Sequence, residues 1–150
     1  MEDRTSEIIA LMKGDNRNGY RHISQNVLAE FVRCEWRSNR WAMMVDSNDQ
    51  SIMGWISWYI LDDESLQNVK EYGILGCFHK DISLQQGNNL YLCNAVVKEG
   101  VSGSVFRMLV KMAKAANPEA RTINAHLRNR DDPLFRWSSF RMPKQKRLVA

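Results

Sequence analysis

The stretch GNNLYLCNAVVKEGVSGSVFRMLVKMAKAA, residues 87–116, holds most of the side chains whose type and spacing suggest chemistry. Asn94 stands among strand-forming apolar residues, where an amide is unfavourable unless hydrogen-bonded, so it is either a satisfied core amide or part of a site. Just beyond it, Gly100 and Gly103 bracket a tight turn and Ser102 is placed to cap a following helix. A strand that passes through such a turn into a helix aims backbone N–H groups, and the positive end of the helix dipole, at whatever lies above the strand. That arrangement suits an anionic or carbonyl-bearing ligand, and it also occurs for packing reasons alone.

Three histidines and three cysteines complete the candidates. His22 stands in DNRNGYRHIS, a turn-rich loop just before a helix, and reads either as an exposed loop residue beside Arg21 or as a base that titrates near neutral pH. His79 falls in a loop, and His126 in a strand, where a hydrogen-bonded core role suits it. Cys34, Cys77 and Cys93 have neither paired spacing nor a C-x-x-C, which speaks against a metal site or a disulfide framework. Cys93 invites a nucleophile reading, but strand alternation sends it to the face opposite Asn94.

The elements that must position these residues follow from periodicity. TSEIIALMK reads as a short helix ended by Gly14. Ser24 caps a second helix with Val27, Leu28, Phe31, Val32 and Trp36 on its apolar stripe. RWAMMVD and IMGWISWYI, joined by SNDQS, predict an antiparallel hairpin rich in core tryptophan. DDESLQNVKEYGIL predicts a helix opened by acids, and GCFHKDISLQQGNN a loop. After residues 87–116, RTINAHLRN alternates as a strand, and DDPLFRWSSFRM offers a helix start at Pro133. The tail after Pro143 is expected to be mobile. The order predicts a single α+β domain over residues 1–150, with helices on a largely antiparallel mixed sheet. Its ending of strand, glycine turn, helix, strand and helix matches the acyl-CoA-binding core of the Gcn5-related N-acetyltransferase architecture.

Composition is that of an ordinary folded protein, with 44% hydrophobic and 25% charged residues and a net charge of +4. The charge is uneven: from Lys98 onward 12 Lys and Arg face 4 Asp and Glu, a balance of +8 that leaves −4 for the first 97 residues. Such a basic end attracts an acidic protein, a nucleic acid or an anionic membrane; solvated charge on helix faces and a basic tail is the plainer alternative. The basic residues are not interleaved with aromatics as in a nucleic-acid module, apart from Phe135, Arg136 and Trp137, so no nucleic acid is expected. No apolar run reaches membrane-spanning length, and MEDRTSEIIALMKGD carries no cleavage signal, so a cytoplasmic location is expected.

Three segments together resemble the RTX toxin-activating lysine-acyltransferases. GYRHISQNVLAEF sets His22 before a helix, where the family has its catalytic histidine. RWAMMVDSNDQSIMGWISWYILDDES follows the family hairpin, with Gly54, the Ser57–Trp58 pair and acids opening a helix. QQGNNLYLCNAVVKEGVSGSVFRML keeps the spacing of Gly87, strand, Gly100 and Gly103. These segments cover most of residues 19–110. Two positions depart from the pattern: the family's strand aspartate falls at Asn94, and its tryptophan before the strand at Leu84.

The resemblance implies transfer of a fatty acyl group from acyl carrier protein to the Nε of internal lysines of an RTX-type protoxin, a maturation step before secretion. No tightly bound cofactor or metal is expected, and acyl carrier protein serves as donor. Family members are often dimers, so a homodimer is among the expectations. His22 would deprotonate the lysine or briefly hold the acyl group, an Asp on the strand would orient the imidazole, and N–H groups near Gly100, Ser102 and Gly103 would polarise the thioester. Asn94 can hold a tautomer but no charge. In a catalytic triad that exchange costs about four orders of magnitude in rate, so activity requires another carboxylate to substitute. Two other readings stay open. One is an acetyl-CoA-dependent N-acetyltransferase, against which the short, weakly basic VKEGVSG turn counts. The other is a non-catalytic protein that holds a toxin segment.

Overall fold

The computed structural model describes residues 3–14, 20, 23–128 and 135–142. His22, Pro133 and the tail after Pro143, all singled out above, lie outside the described residues. In chain order the elements are α1 (Thr5–Gly14), α2 (Gln25–Ser38), β1 (Trp41–Val45), β2 (Ile52–Leu61), α3 (Asp63–His79), β3 (Asn89–Val97), α4 (Gly103–Ala116), β4 (Thr122–Arg128) and β5 (Phe135–Arg141). The five strands form one sheet in the order β1-β2-β3-β4-β5. Every neighbouring pair is antiparallel except β3 and β4, which run parallel with α4 as their crossover. The expected α+β architecture, a mostly antiparallel mixed sheet flanked by helices, is therefore present.

Side-chain alternation on β2 and β3 divides the apolar residues between two layers. On one face α1 and α2 bury Ile8, Met12, Leu28 and Val32 against Trp55 and Val96, and α3 continues the layer with Val69, Ile74 and Cys77 against Leu61 and Tyr91. Trp36, Trp41 and Trp55 stack there, with successive ring centroids 4.4 and 5.0 Å apart. The opposite face carries α4, whose Val105, Leu109 and Ala113 pack on Ala42, Ile56, Trp58 and Leu90. Gly54 lets that helix approach: a Cβ there would lie 2.7 Å from Leu109 Cδ1 and 3.2 Å from Val105 Cγ1. A Cβ at this position would force the Leu109 side chain, and Val105 beside it, to shift.

Two expectations are corrected. The segment from Phe135 is a strand and not a helix, because Trp137 lies flat against Tyr91 at 6.1 Å and edge-on to His126 at 4.8 Å, and the backbone closes the outer edge of β4. A proline helix-start cue does not outweigh aromatic residues spaced two apart beside an unpaired edge. The loop expected over residues 76–79 is also helical. The chain leaves helical geometry at Gly73 (φ 72°, ψ 170°), then resumes, because Ile74 and Cys77 extend the buried stripe begun by Val69.

Candidate active site

The register of β3 against β2 contains the feature that builds the site. Ser57 pairs with Asn94 and Trp58 with Leu92, so Cys93 is an extra residue, a β-bulge. A bulge breaks alternation and turns two successive side chains to the same side. Cys93 and Asn94 therefore share the α2 face, which corrects the expectation that they point apart. Leu92 remains on the α4 face with Leu90.

Asn94 is 6% exposed. Its Nδ2 donates to Glu35 Oε1 at 2.6 Å, and its Oδ1 accepts from the Tyr20 hydroxyl at 2.8 Å. The amide thus joins the segment preceding α2 to the last turn of α2 on one face of the sheet. Lys13 supports that segment by donating to the carbonyl oxygens of Tyr20 (3.1 Å) and Ile23.

Glu35 is the residue that sequence reasoning missed. It is 4% exposed, and among the described residues no salt bridge reaches it. Burial pushes its pKa up from 4.5 to about 7, against the opposing pull of Ser57, Asn94, Trp55 and Cys93, which favour the ionised form. Ser57 and Trp55 sit close enough to exert that pull. Yet Glu35 Oε2, Ser57 Oγ and Trp55 Nε1 each lack a partner in hydrogen-bond geometry among the described residues. The signal for Glu35 was in the spacing: it stands three residues after Val32 and seven after Leu28, on the buried stripe of α2.

The other candidates fall as follows. Burial, and then the neighbouring Glu35, raise the Cys93 thiol well above its ordinary range, so it carries no thiolate at neutral pH and makes a poor nucleophile. His126 has a structural setting: Nε2 donates to the Lys70 carbonyl at 3.1 Å, which leaves Nδ1 to accept from the Tyr91 hydroxyl at 2.8 Å. His79 is exposed at the end of α3. Among the described residues no group of His, Cys, Asp and Glu could hold a metal ion.

The glycine turn lies beyond the C-terminal end of β3. Gly100 has φ +85°, a conformation that disfavours any side chain. Ser102 is the N-cap of α4, accepting from the Ser104 N–H at 3.2 Å, and Gly103 opens the helix. All three are exposed. The turn leads to the α4 face, whereas Asn94 is buried on the α2 face, so the strand end and not a side-chain contact connects them. Pairing of β3 with β4 covers only Asn89–Leu92 against Thr122–Ala125. Past the bulge, β3 is paired on its β2 side alone.

Compared with known proteins, the chain matches no family model and no curated sequence. No helix among the described residues is long and apolar enough to cross a membrane.

Proposed function

We propose that this chain is a protein-lysine fatty-acyltransferase of the RTX toxin-activating type, with a Gcn5-related N-acetyltransferase-like fold and acyl carrier protein as donor. The observation that carries the reading is the Tyr20–Asn94–Glu35 chain of hydrogen bonds. It ties the segment before α2, in which His22 is the second residue after Tyr20, to the strand position where the family has its acid. It also provides a buried carboxyl beside an asparagine that has none. The parallel β3–α4–β4 unit, with its glycine turn and the β3 edge left unpaired by β4 past the bulge, supports an acyl-thioester site at that strand end.

In this reading His22 takes the proton from the target lysine ammonium, whose charged form has no lone pair to attack with. The free amine adds to the thioester carbonyl and the C–S bond breaks; of the two protons the nitrogen gives up on the way from ammonium to amide, one passes to the departing thiolate of the carrier and the other to solvent. N–H groups at Gly100, Ser102 and Gly103 would face the carbonyl oxygen as its charge develops. Exposed Arg107 and Lys111 on α4, beside exposed Phe106, Met108 and Met112, give the strongly acidic carrier a basic and apolar surface to meet.

The test is intact-mass measurement of an RTX-type protoxin fragment incubated with this protein and fatty-acyl carrier protein, beside a His22→Ala control. A fatty-acyl mass gain that the control lacks supports the reading. An inert wild type whose Asn94→Asp variant transfers would instead identify a lapsed enzyme that binds its toxin segment.

A further inference from the structure

We infer that Glu35 is the ionising carboxyl of this site, a positioning residue that does through Asn94 what an aspartate on the strand would do directly. The inference rests on the transferase reading but has a readout of its own. Its basis is the pairing of an amide that cannot ionise with an acid that is buried without a cation. An ion-pair partner would explain a buried glutamate structurally, and among the described residues none is present. Instead the groups that face Glu35 are donors: the Asn94 amide, the Ser57 hydroxyl, the Trp55 indole N–H and the Cys93 thiol. Among the described residues two of those donors and the second carboxyl oxygen lack a partner, so the cage is built for a negative charge and only partly closed around it.

Ionisation of Glu35 fixes the amide. A carboxylate only accepts, so Asn94 must turn Nδ2 toward Oε1, which leaves Oδ1 facing Tyr20. The charge also polarises the amide, and Oδ1 becomes a stronger acceptor for the donor on its far side. The asparagine in this way passes on the field of a carboxylate that sits one residue deeper.

The titratable neighbours do not compete for this role. Cys93 on β3 and Tyr59 on β2 both have their ionisation pushed upward, by burial first and then by charges nearby that include Glu35. Cys34 on α2 and Arg40 beyond its end also act on Tyr59. From α1 the layer receives apolar Ile8 and Met12, while Lys13 is engaged on backbone carbonyls. From α3 it receives Leu66 and Val69.

Four proteins test the inference: the wild type, Glu35→Gln, Asn94→Asp and the swap Glu35→Gln/Asn94→Asp. The Asn94 side-chain amide is followed by 15N NMR from pH 5 to 9, and kcat and KM for acyl transfer are measured separately. In the wild type the amide signal should show a step with a midpoint near 7, set by Glu35, and in Glu35→Gln that step should be missing. That variant should lose about 10²-fold or more in kcat with KM for the acyl carrier protein unchanged, and the swap should recover most of the loss by returning the charge to the strand. A purely structural glutamate predicts no recovery. A wild-type amide that does not titrate, a Glu35→Gln variant with wild-type kcat, or a swap no better than Glu35→Gln overturns the inference. If no protein transfers acyl groups while the wild-type amide still titrates, the transferase reading fails and the coupling of Glu35 to Asn94 stands.

Discussion

Two asparagines are buried on β3, and they differ in kind. Asn89 donates both Nδ2 hydrogens, to the Leu61 carbonyl at 3.0 Å and to Asp63 Oδ1 at 2.8 Å, and accepts from the Thr122 hydroxyl at 2.7 Å. Its partners are backbone and surface groups that hold the end of β2, the start of α3 and β4 together. Asn94 has a phenol on one side and a buried acid on the other, and around that acid further polar atoms lack a partner among the described residues. A buried amide used as a staple saturates its own bonds and those of its partners. One used in a site leaves part of its surroundings unsatisfied, because that capacity serves a charge or a ligand.

The comparison is broken most sharply by removing each amide in turn. Asn89→Ala should lower unfolding free energy by about 3–5 kcal/mol, since the Leu61 carbonyl and the Thr122 hydroxyl lose a partner where three elements meet. Asn94→Ala leaves Glu35 Oε1 without its donor, so its loss should grow with pH: smaller near pH 5, where the acid is neutral, and larger at pH 8, where a carboxylate is stranded. Chemical denaturation of both variants at the two pH values decides the matter: a loss for Asn94→Ala that is the same at both would make Asn94 a second staple.

A smaller effect, with a sign that depends on pH, is expected at Glu35. Its pKa is raised from 4.5 to about 7 in the folded state, so between those values the folded protein holds a proton that the unfolded chain has released. Stability therefore falls as pH rises from about 4.5 to 7 and stays lower above that, by up to about 3 kcal/mol. Glu35→Gln removes the ionisation. It should be about 2 kcal/mol more stable than the wild type at pH 8 and nearly equal to it at pH 5. Denaturation at the two pH values measures this, and a variant less stable at both would show that the carboxylate is a net structural asset.

Some of this was legible in the sequence. The hairpin, the Ser24 and Ser102 caps and the strand around Asn94 all follow from local spacing, and Asn94 drew notice because an amide is costly among strand apolars. The bulge at Cys93 has no local signature, since it arises from how β2 and β3 register over their whole length, and without it the two neighbours read as opposed. Glu35 was hidden by its type. A glutamate late in an amphipathic helix passes for solvent-facing unless its phase is compared with Leu28 and Val32, and only the sheet beneath reveals which side of the stripe is covered. The strand at Phe135–Arg141 was obscured by Pro133, whose helix-start meaning is outweighed by the unpaired edge of β4.

The smallest expected effect sharpens the comparison furthest, because it separates the two ends of the Asn94 chain. Tyr20→Phe keeps the ring and removes the hydroxyl that donates to Oδ1. One hydrogen bond of this sort contributes about 1 kcal/mol, so stability should fall by about that amount. The Glu35 titration should survive, since its first cause is burial beneath α2 and its bond to Nδ2 is untouched. If Tyr20→Phe instead moves the midpoint of the Asn94 amide signal substantially, the phenol helps set the charge state of the acid. The three groups would then titrate as one unit, and the division between a positioning carboxyl and the segment it positions would have to be redrawn.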